Sequence, residues 1–269
     1  MGKILDNKQI NFYNENGYLY PIKVISPEEA LKYRKKLEEY EFKTGHVISG
    51  NERHKSHLLF RWVYEIVNNK IILDAIEDLL GPDILCWSTN FFIKEPKDNA
   101  FVTWHQDAEY WGLEPDDVVT AWIALSDASI KTGPMEVIPK SHKWKNMEHE
   151  QTFTKNNLLS RGQEIKNITN IDDAIAMPLS AGEISLHHVK LAHSSKINKS
   201  NDRRIGIAIR YASAAVKQKN SNKDSALLVR GIDNYLNFIH ETPPKSDNDL
   251  DAVKNHKIAS ELHAKILMK

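Results

Sequence analysis

His105, Gln106 and Asp107 set an imidazole and a carboxylate two residues apart. On a strand, positions i and i+2 face the same way a few ångströms apart, so both groups can reach one metal ion. Two histidines and one carboxylate with open coordination positions suit ferrous iron that must also accept a bidentate co-substrate and oxygen. The spacing alone decides little, because 12 histidines and 36 acids in 269 residues give about 1.6 His-x-acid pairs by chance. One such pair is present, so its context has to carry the assignment.

A second pattern lies in Arg204 to Tyr211. Read in alternation, Arg204, Gly206, Ala208 and Arg210 share one face and Ile205, Ile207 and Ile209 the other. The isoleucines suit packing under a helical layer, whereas small residues between two arginines leave room for an anion inside a barrel. Ser88, Asn90, Phe92 and Lys94 share a face by the same rule. Gln106, Tyr110 and Trp111 sit beside the His-x-Asp strand and are candidates for touching substrate; aromatic walls would suit either an ammonium head or an apolar chain.

These residues need a scaffold. Ser26-Pro27-Glu28-Glu29 reads as a helix start ahead of Ala30, Leu31, Tyr33 and Leu37. A second helical stretch is expected over about 57–80, ended by Gly81-Pro82. From 84 to 216 the pattern changes to short β-rich runs at 84–94, 100–106, 118–125, 135–138, 184–188 and 204–212, which suggests a sandwich or jelly roll. Residues 145–175 are polar and irregular, the length of a lid or a disordered loop. A last helix over 250–268 carries Leu250, Val253, Ile258, Leu262 and Ile266 and is expected to pack outside the sheet.

Length and 41% hydrophobic residues allow one domain over 1–269: a helical part to 82, a β core over 83–216 and a C-terminal extension. The 36 basic and 36 acidic residues cancel, which removes the electrostatic case for nucleic acid or an anionic membrane and leaves a small molecule as the expected partner. The sequence does not give the oligomeric state. One cysteine, Cys86, excludes an internal disulfide and thiolate-rich zinc sites. The N-terminus turns polar too early for a secretory signal, and no run approaches the roughly 18 apolar residues of a membrane span, so a cytoplasmic protein is expected.

Context for the metal pair comes from His105-Gln106-Asp107, Trp122-Ile123-Ala124-Leu125, Gly133-Pro134-Met135-Glu136-Val137-Ile138-Pro139-Lys140-Ser141-His142, and Gly182-Glu183 through His193, Ser195 and Arg204. In that order they resemble the phytanoyl-CoA dioxygenase family, over roughly residues 8–215. The resemblance implies a mainly β fold with flanking helices around a double-stranded β-helix (jelly roll, cupin-like), and an oxygenase using iron(II), 2-oxoglutarate and O2. It implies His105, Asp107 and His193 as metal ligands, His188 being the main rival to His193. It also implies Arg204, Lys94, Trp122 and Ser195 as the 2-oxoglutarate site; a core role would serve Trp122 equally, and a solvated one Lys94. Asn90, Gln106, Tyr110, Trp111 and Arg210 are left to the substrate.

Asp107 favours hydroxylation over halogenation, since halogenating relatives carry a small residue there; desaturation and epimerisation stay open. The Tyr110-Trp111-Gly112-Leu113 extension resembles a branch that includes hydroxylases of small aminoalkylphosphonates. A non-catalytic binding protein and a non-oxidative metal-dependent isomerase or hydrolase on a similar barrel are the alternatives.

Overall fold

Asp6 and Ser26 each open a helix by the same device, the side-chain oxygen accepting from the backbone N–H three residues on, at Gln9 and Glu29. These are α1 (Asn7–Asn16) and α2 (Pro27–Thr44) in a computed structural model that describes residues 2–145, 147–159, 161–220 and 224–267. The stretch expected as one helix over 57–80 is two, α3 (Arg61–Val67) and α4 (Lys70–Leu80). Asn69 divides them, because its side chain accepts from the N–H groups of Ile71 and Ile72 and so caps a new start. The short α5 (Ala108–Trp111) follows the His-x-Asp strand, and α6 (Leu250–Leu267) ends the described chain. Among the described residues no helix is long and apolar enough to cross a membrane.

The strands in chain order are β1 (Tyr18–Lys23), β2 (Ile84–Lys94), β3 (Val102–His105), β4 (Leu113–Glu114), β5 (Val118–Ala124) and β6 (Met135–Val137). Then come β7 (His149–Gln151), β8 (Gln163–Ile165), β9 (Ile175–Met177), β10 (Glu183–His188) and β11 (His193–Ser195). Last are β12 (Arg204–Ser213), β13 (Lys217–Gln218), β14 (Ser225–Arg230) and β15 (Ile239–His240). A large sheet runs β1-β10-β5-β12-β2-β14-β15 and a small one β3-β11-β6-β9. The chain alternates between them, β2 to β3, β5 to β6, β10 to β11 to β12, which is the winding of a jelly roll.

On the outer face of the large sheet Ile205, Ile207 and Ile209 join Phe91, Ile123 and Leu186 against Trp62, Ile66, Ile72 and Ile76 of the helices. The alternation read in β12 therefore holds: the isoleucines pack under helices, and the arginine face turns inward. Three further expectations change. β1, not anticipated, pairs with β10 at the edge of the large sheet. Residues 145–175 are not irregular throughout, since β7 and β8 form an antiparallel pair.

The third change concerns α6, which does not lie outside the sheet on its aliphatic stripe. Leu250, Val253 and Ile258 are exposed, and the buried face is Ala252, His256, Ala259, Ser260, His263 and Ile266. Short side chains let that face come close to α5 and β14, and His256 Nε2–H donates to His54 O at 2.8 Å.

Candidate metal centre and co-substrate pocket

β3 and β11 pair antiparallel with His105 opposite His193. The chain leaves β3 and enters α5 at Asp107, which puts its carboxylate beside both rings. One donor atom from each of the three residues lies within 4.8 Å of the others, and all three are buried. Each histidine spends Nδ1–H on the backbone: His105 donates to Thr103 O and His193 to Leu191 O, both at 2.9 Å. That fixes the tautomer and leaves each Nε2 lone pair free, the arrangement a metal-binding imidazole needs.

Burial first, then the neighbouring His105, holds His193 well below the ordinary imidazole value, so it is neutral and ready to ligate. For Asp107 burial acts upward, but the two imidazoles beside it, His105 and then His193, outweigh it, and the carboxyl is held below its usual range. His105 Nε2 lies 3.4 Å from Asp107 Oδ1. A divalent cation fits this set, since two imidazole nitrogens and one carboxylate converge within 4.8 Å of one another.

Arg204 is buried in the same cavity. Its Nη1–H donates to Gly133 O at 2.8 Å, its Nε has no partner, and the guanidinium carbon sits 5.2 Å from the centre of the Trp122 ring. Thr120 Oγ1, two residues before Trp122 on β5, is likewise buried and unpartnered. Buried donors are rarely left unmet, so these groups are ready for a ligand's oxygens. Lys94 is placed differently from the expectation. It faces its register partner Arg204 but does not line the cavity. Its Nζ donates to Ser195 Oγ at 2.8 Å and to the carbonyl of Lys196. Burial, then the Arg204 charge, pushes it down to about 6.

The phytanoyl-CoA dioxygenase (PhyH) family profile matches residues 13–206. The chain belongs to the phytanoyl-CoA dioxygenase family. A probable alpha-ketoglutarate-dependent hypophosphite dioxygenase of Stutzerimonas stutzeri is 29% identical to it, over 75% of this chain and 77% of that one. The human peroxisomal phytanoyl-CoA dioxygenase is 25% identical over 78% and 69%. Among solved structures, a non-heme monooxygenase, ThoJ in its apo form, superposes with a TM-score of 0.86 at 32% identity, covering 97% of both chains. CytC3 with Fe(II) and alpha-ketoglutarate has a TM-score of 0.68 at 20% identity, covering 92% of this chain and 98% of its own, and shares the fold. The protein is accordingly an iron(II)- and 2-oxoglutarate-dependent dioxygenase of this family, with O2 as the usual co-substrate.

This phytanoyl-CoA dioxygenase relative encloses a cavity of about 340 Å³ between the two sheets, within the range of small-molecule sites. Of the residues expected to touch substrate, Asn90, Tyr110, Trp111 and Arg210 line it. Gln106 does not. Its Nε2–H donates to Lys190 O at 2.8 Å and its Oε1 accepts from Met147 N at 2.9 Å, so the amide is committed to the backbone and holds the metal strand instead.

The nearest rival to His193 is also different. His188 turns away toward His142, the two rings tilted with centres 5.3 Å apart, while His187 has its ring centre 4.8 Å from that of His193 and its Nε2 4.0 Å from Asp107 Oδ2. Alternation in β10 carried that signal, since Ser185 and His187 share the inward face and Ile184 and Leu186 the outward one. Arg161, His54 and His263 also line the cavity. They come from the 145–175 segment, a loop and α6, where periodicity says nothing about what faces a site.

Proposed function

We propose that His105, Asp107 and His193 hold the iron and that Arg204 receives the distal carboxylate of 2-oxoglutarate, with Trp122, Thr120 and Ser195 forming its walls. The carrying observation is the convergence of two free imidazole Nε2 atoms and a carboxylate in a cavity that also holds a buried arginine with an unmet donor. When bound, iron(II) with 2-oxoglutarate and O2 supplies a two-electron oxidation that places an oxygen atom in a C–H bond and releases succinate and carbon dioxide.

The chain's own residues do the rest. Thr103 O and Leu191 O keep both imidazoles in the ligating tautomer, and Lys94 fixes the Ser195 hydroxyl beside the co-substrate. The cavity walls hold the target carbon and exclude water. The substrate is a small polar or zwitterionic metabolite, an aminoalkylphosphonate being the leading example. The size of the cavity and the Tyr110-Trp111 wall support this, as does the phosphorus oxyanion in the name of the Stutzerimonas relative.

Anaerobic titration of the iron(II)-loaded protein with 2-oxoglutarate tests the reading through the weak visible charge-transfer band. The band is expected in the wild type and weakened or lost in Asp107→Ala. In Arg204→Gln the affinity for 2-oxoglutarate should fall about 10- to 100-fold, the loss of a charge-assisted pair. A folded, iron-bound wild type that gives no band would sink the oxygenase assignment of these residues.

A further inference from the structure

Arg204 is not the cavity's sole guanidinium. Arg210, six residues further along the same inward face of β12, is 9% exposed and lines the cavity. Six residues span about 20 Å of strand, so the two arginines present separate cationic ends rather than one anion hole. In register Arg210 lies opposite Thr120, which lies opposite His187, and that row places it at the level of the His187–Asp107 contact.

Among the described residues nothing pairs with its side chain: the guanidinium makes no hydrogen bond or ion pair, its Nε is buried and unpartnered, and it lies over the face of Trp111, the ring centre 4.7 Å from the guanidinium carbon. Asp107 is the acid whose charge it feels, yet the two form no ion pair, and Asp107 has the metal to serve. A guanidinium left buried without an anion costs several kcal/mol, so a fold that keeps one on an aromatic platform implies a ligand that meets it.

A second buried cation lines the same cavity. Arg161, 7% exposed and carried by the segment between β7 and β8, has Nη2 without a partner. With Tyr110, the neighbour of Trp111, it also lines a second cavity, which sets it on the Arg210 side. Asn90 Oδ1, Thr120 Oγ1, His187 Nδ1 and His263 Nδ1 are further unmet buried atoms among the residues lining the cavity.

We infer that Arg210 and Arg161 form a substrate-anion subsite, and that the molecule oxidised carries an oxyanion, a carboxylate or a phosphorus oxyanion, bound apart from 2-oxoglutarate. This rests on the oxygenase reading above and narrows its substrate class. Arg210 fixes the anionic end close to the metal, Trp111 orients its guanidinium, and Arg161 closes over the anion from the hairpin segment.

The test is calorimetric titration of the anaerobic protein loaded with iron(II) and saturating 2-oxoglutarate, using four probes: methylphosphonate, 2-aminoethylphosphonate, β-alanine and the uncharged β-alanine analogue 3-hydroxypropionamide. At least one anionic probe should bind with one-to-one stoichiometry, and the amide should not. Whether the phosphonates or the carboxylate bind more tightly then tells a tetrahedral from a planar oxyanion. Arg210→Gln and Arg161→Gln should each weaken that probe at least about tenfold, the loss of a charged hydrogen bond. Arg210→Lys, which keeps the charge but not the fork, should fall between.

Probe binding unchanged in folded Arg210→Gln and Arg161→Gln overturns the subsite, as does equal binding of the amide or no binding by any anion. If Arg210→Gln does not fold, Arg161→Gln and Arg210→Lys decide by the same criterion. The two readings fail separately. Loss of the charge-transfer band with arginine-dependent probe binding removes the oxygenase reading alone, and a normal band with arginine-independent binding removes the subsite alone.

Discussion

Gly206 shows how closely the co-substrate side is built. A Cβ placed there would sit 1.9 Å from the Trp122 ring, which is wedged among Ala124, Ala128, Leu179 and Ala208. The indole cannot retreat, and it is the platform beside Arg204. Gly206→Ala should therefore cost about 1–3 kcal/mol in urea unfolding, an overpacking penalty. It should also weaken 2-oxoglutarate about tenfold in the anaerobic titration as the cation–π contact is lost. Unchanged affinity would mean that Trp122 is only core. At this scale much of the site was readable in the sequence. Alternation alone put Arg204, Gly206, Ala208 and Arg210 on one face, and the His-x-Asp spacing named two of the three residues that converge. Gln106 was misread because proximity in sequence to a metal strand does not say which way an amide turns. His54, His263 and Arg161 were invisible because they reach the cavity from a loop, a helix and a hairpin segment.

The elements were legible where burial is carried by large apolar side chains and obscure where it is not. β2, β5, β10 and β12 sit close to where the β-rich runs place them, because their inner and outer faces differ sharply in chemistry. In α6 the signal fails over most of its length: of the stripe a hydrophobic period selects, Leu250, Val253 and Ile258 face solvent, while Leu262 is half-buried and Ile266 buried. Ala252, Ala259 and Ser260 are buried because a small side chain is what lets the helix approach α5 and the turn at His54. Substitution tells the two faces apart. Leu250→Lys and Ile258→Lys should change the unfolding free energy by no more than about 0.5 kcal/mol, as surface positions do. Ala259→Leu should cost about 1–3 kcal/mol by overpacking. Since His263 and Ala264 line the cavity, Ala259→Leu should also weaken substrate-side probes while leaving the 2-oxoglutarate band in place. The reverse ranking in chemical denaturation would return α6 to the outside of the sheet.

Across the whole molecule, a buried charge network ties the N-terminal and C-terminal parts to the barrel. Lys55, fully buried, donates to Trp87 O on β2 at 2.7 Å, to Ser225 O on β14 at 2.9 Å and to Glu241 Oε1 at 2.5 Å. Glu241 also accepts from Ser225 Oγ and from His57 Nε2, whose Nδ1 meets Thr89. Burial acts to raise the Glu241 carboxyl, but Lys55 and then His57 outweigh it and hold it at about 2. Its folded pKa lies below the unfolded value, so the unfolded chain binds more protons between them. The associated stability is whole above the ordinary carboxylate value of about 4.3 and is lost as pH falls toward about 2, on the order of 3 kcal/mol over that window. His57 is depressed by burial and adds a loss of the same sign below its ordinary value. Urea midpoints should therefore drop on going from about pH 7 to about pH 3. Glu241→Gln should be about 3–5 kcal/mol less stable at neutral pH, because it leaves Lys55 buried and unpaired. It should also lose Glu241's share of the acid dependence in the lower part of that range, the depressed Asp107 carboxyl keeping its own. Adding Lys55→Met to Glu241→Gln removes the stranded charge and should recover most of the loss. A double variant as unstable as Glu241→Gln alone would show that the network holds the two ends of the chain to the barrel through its hydrogen bonds to β2 and β14 rather than through the ion pair.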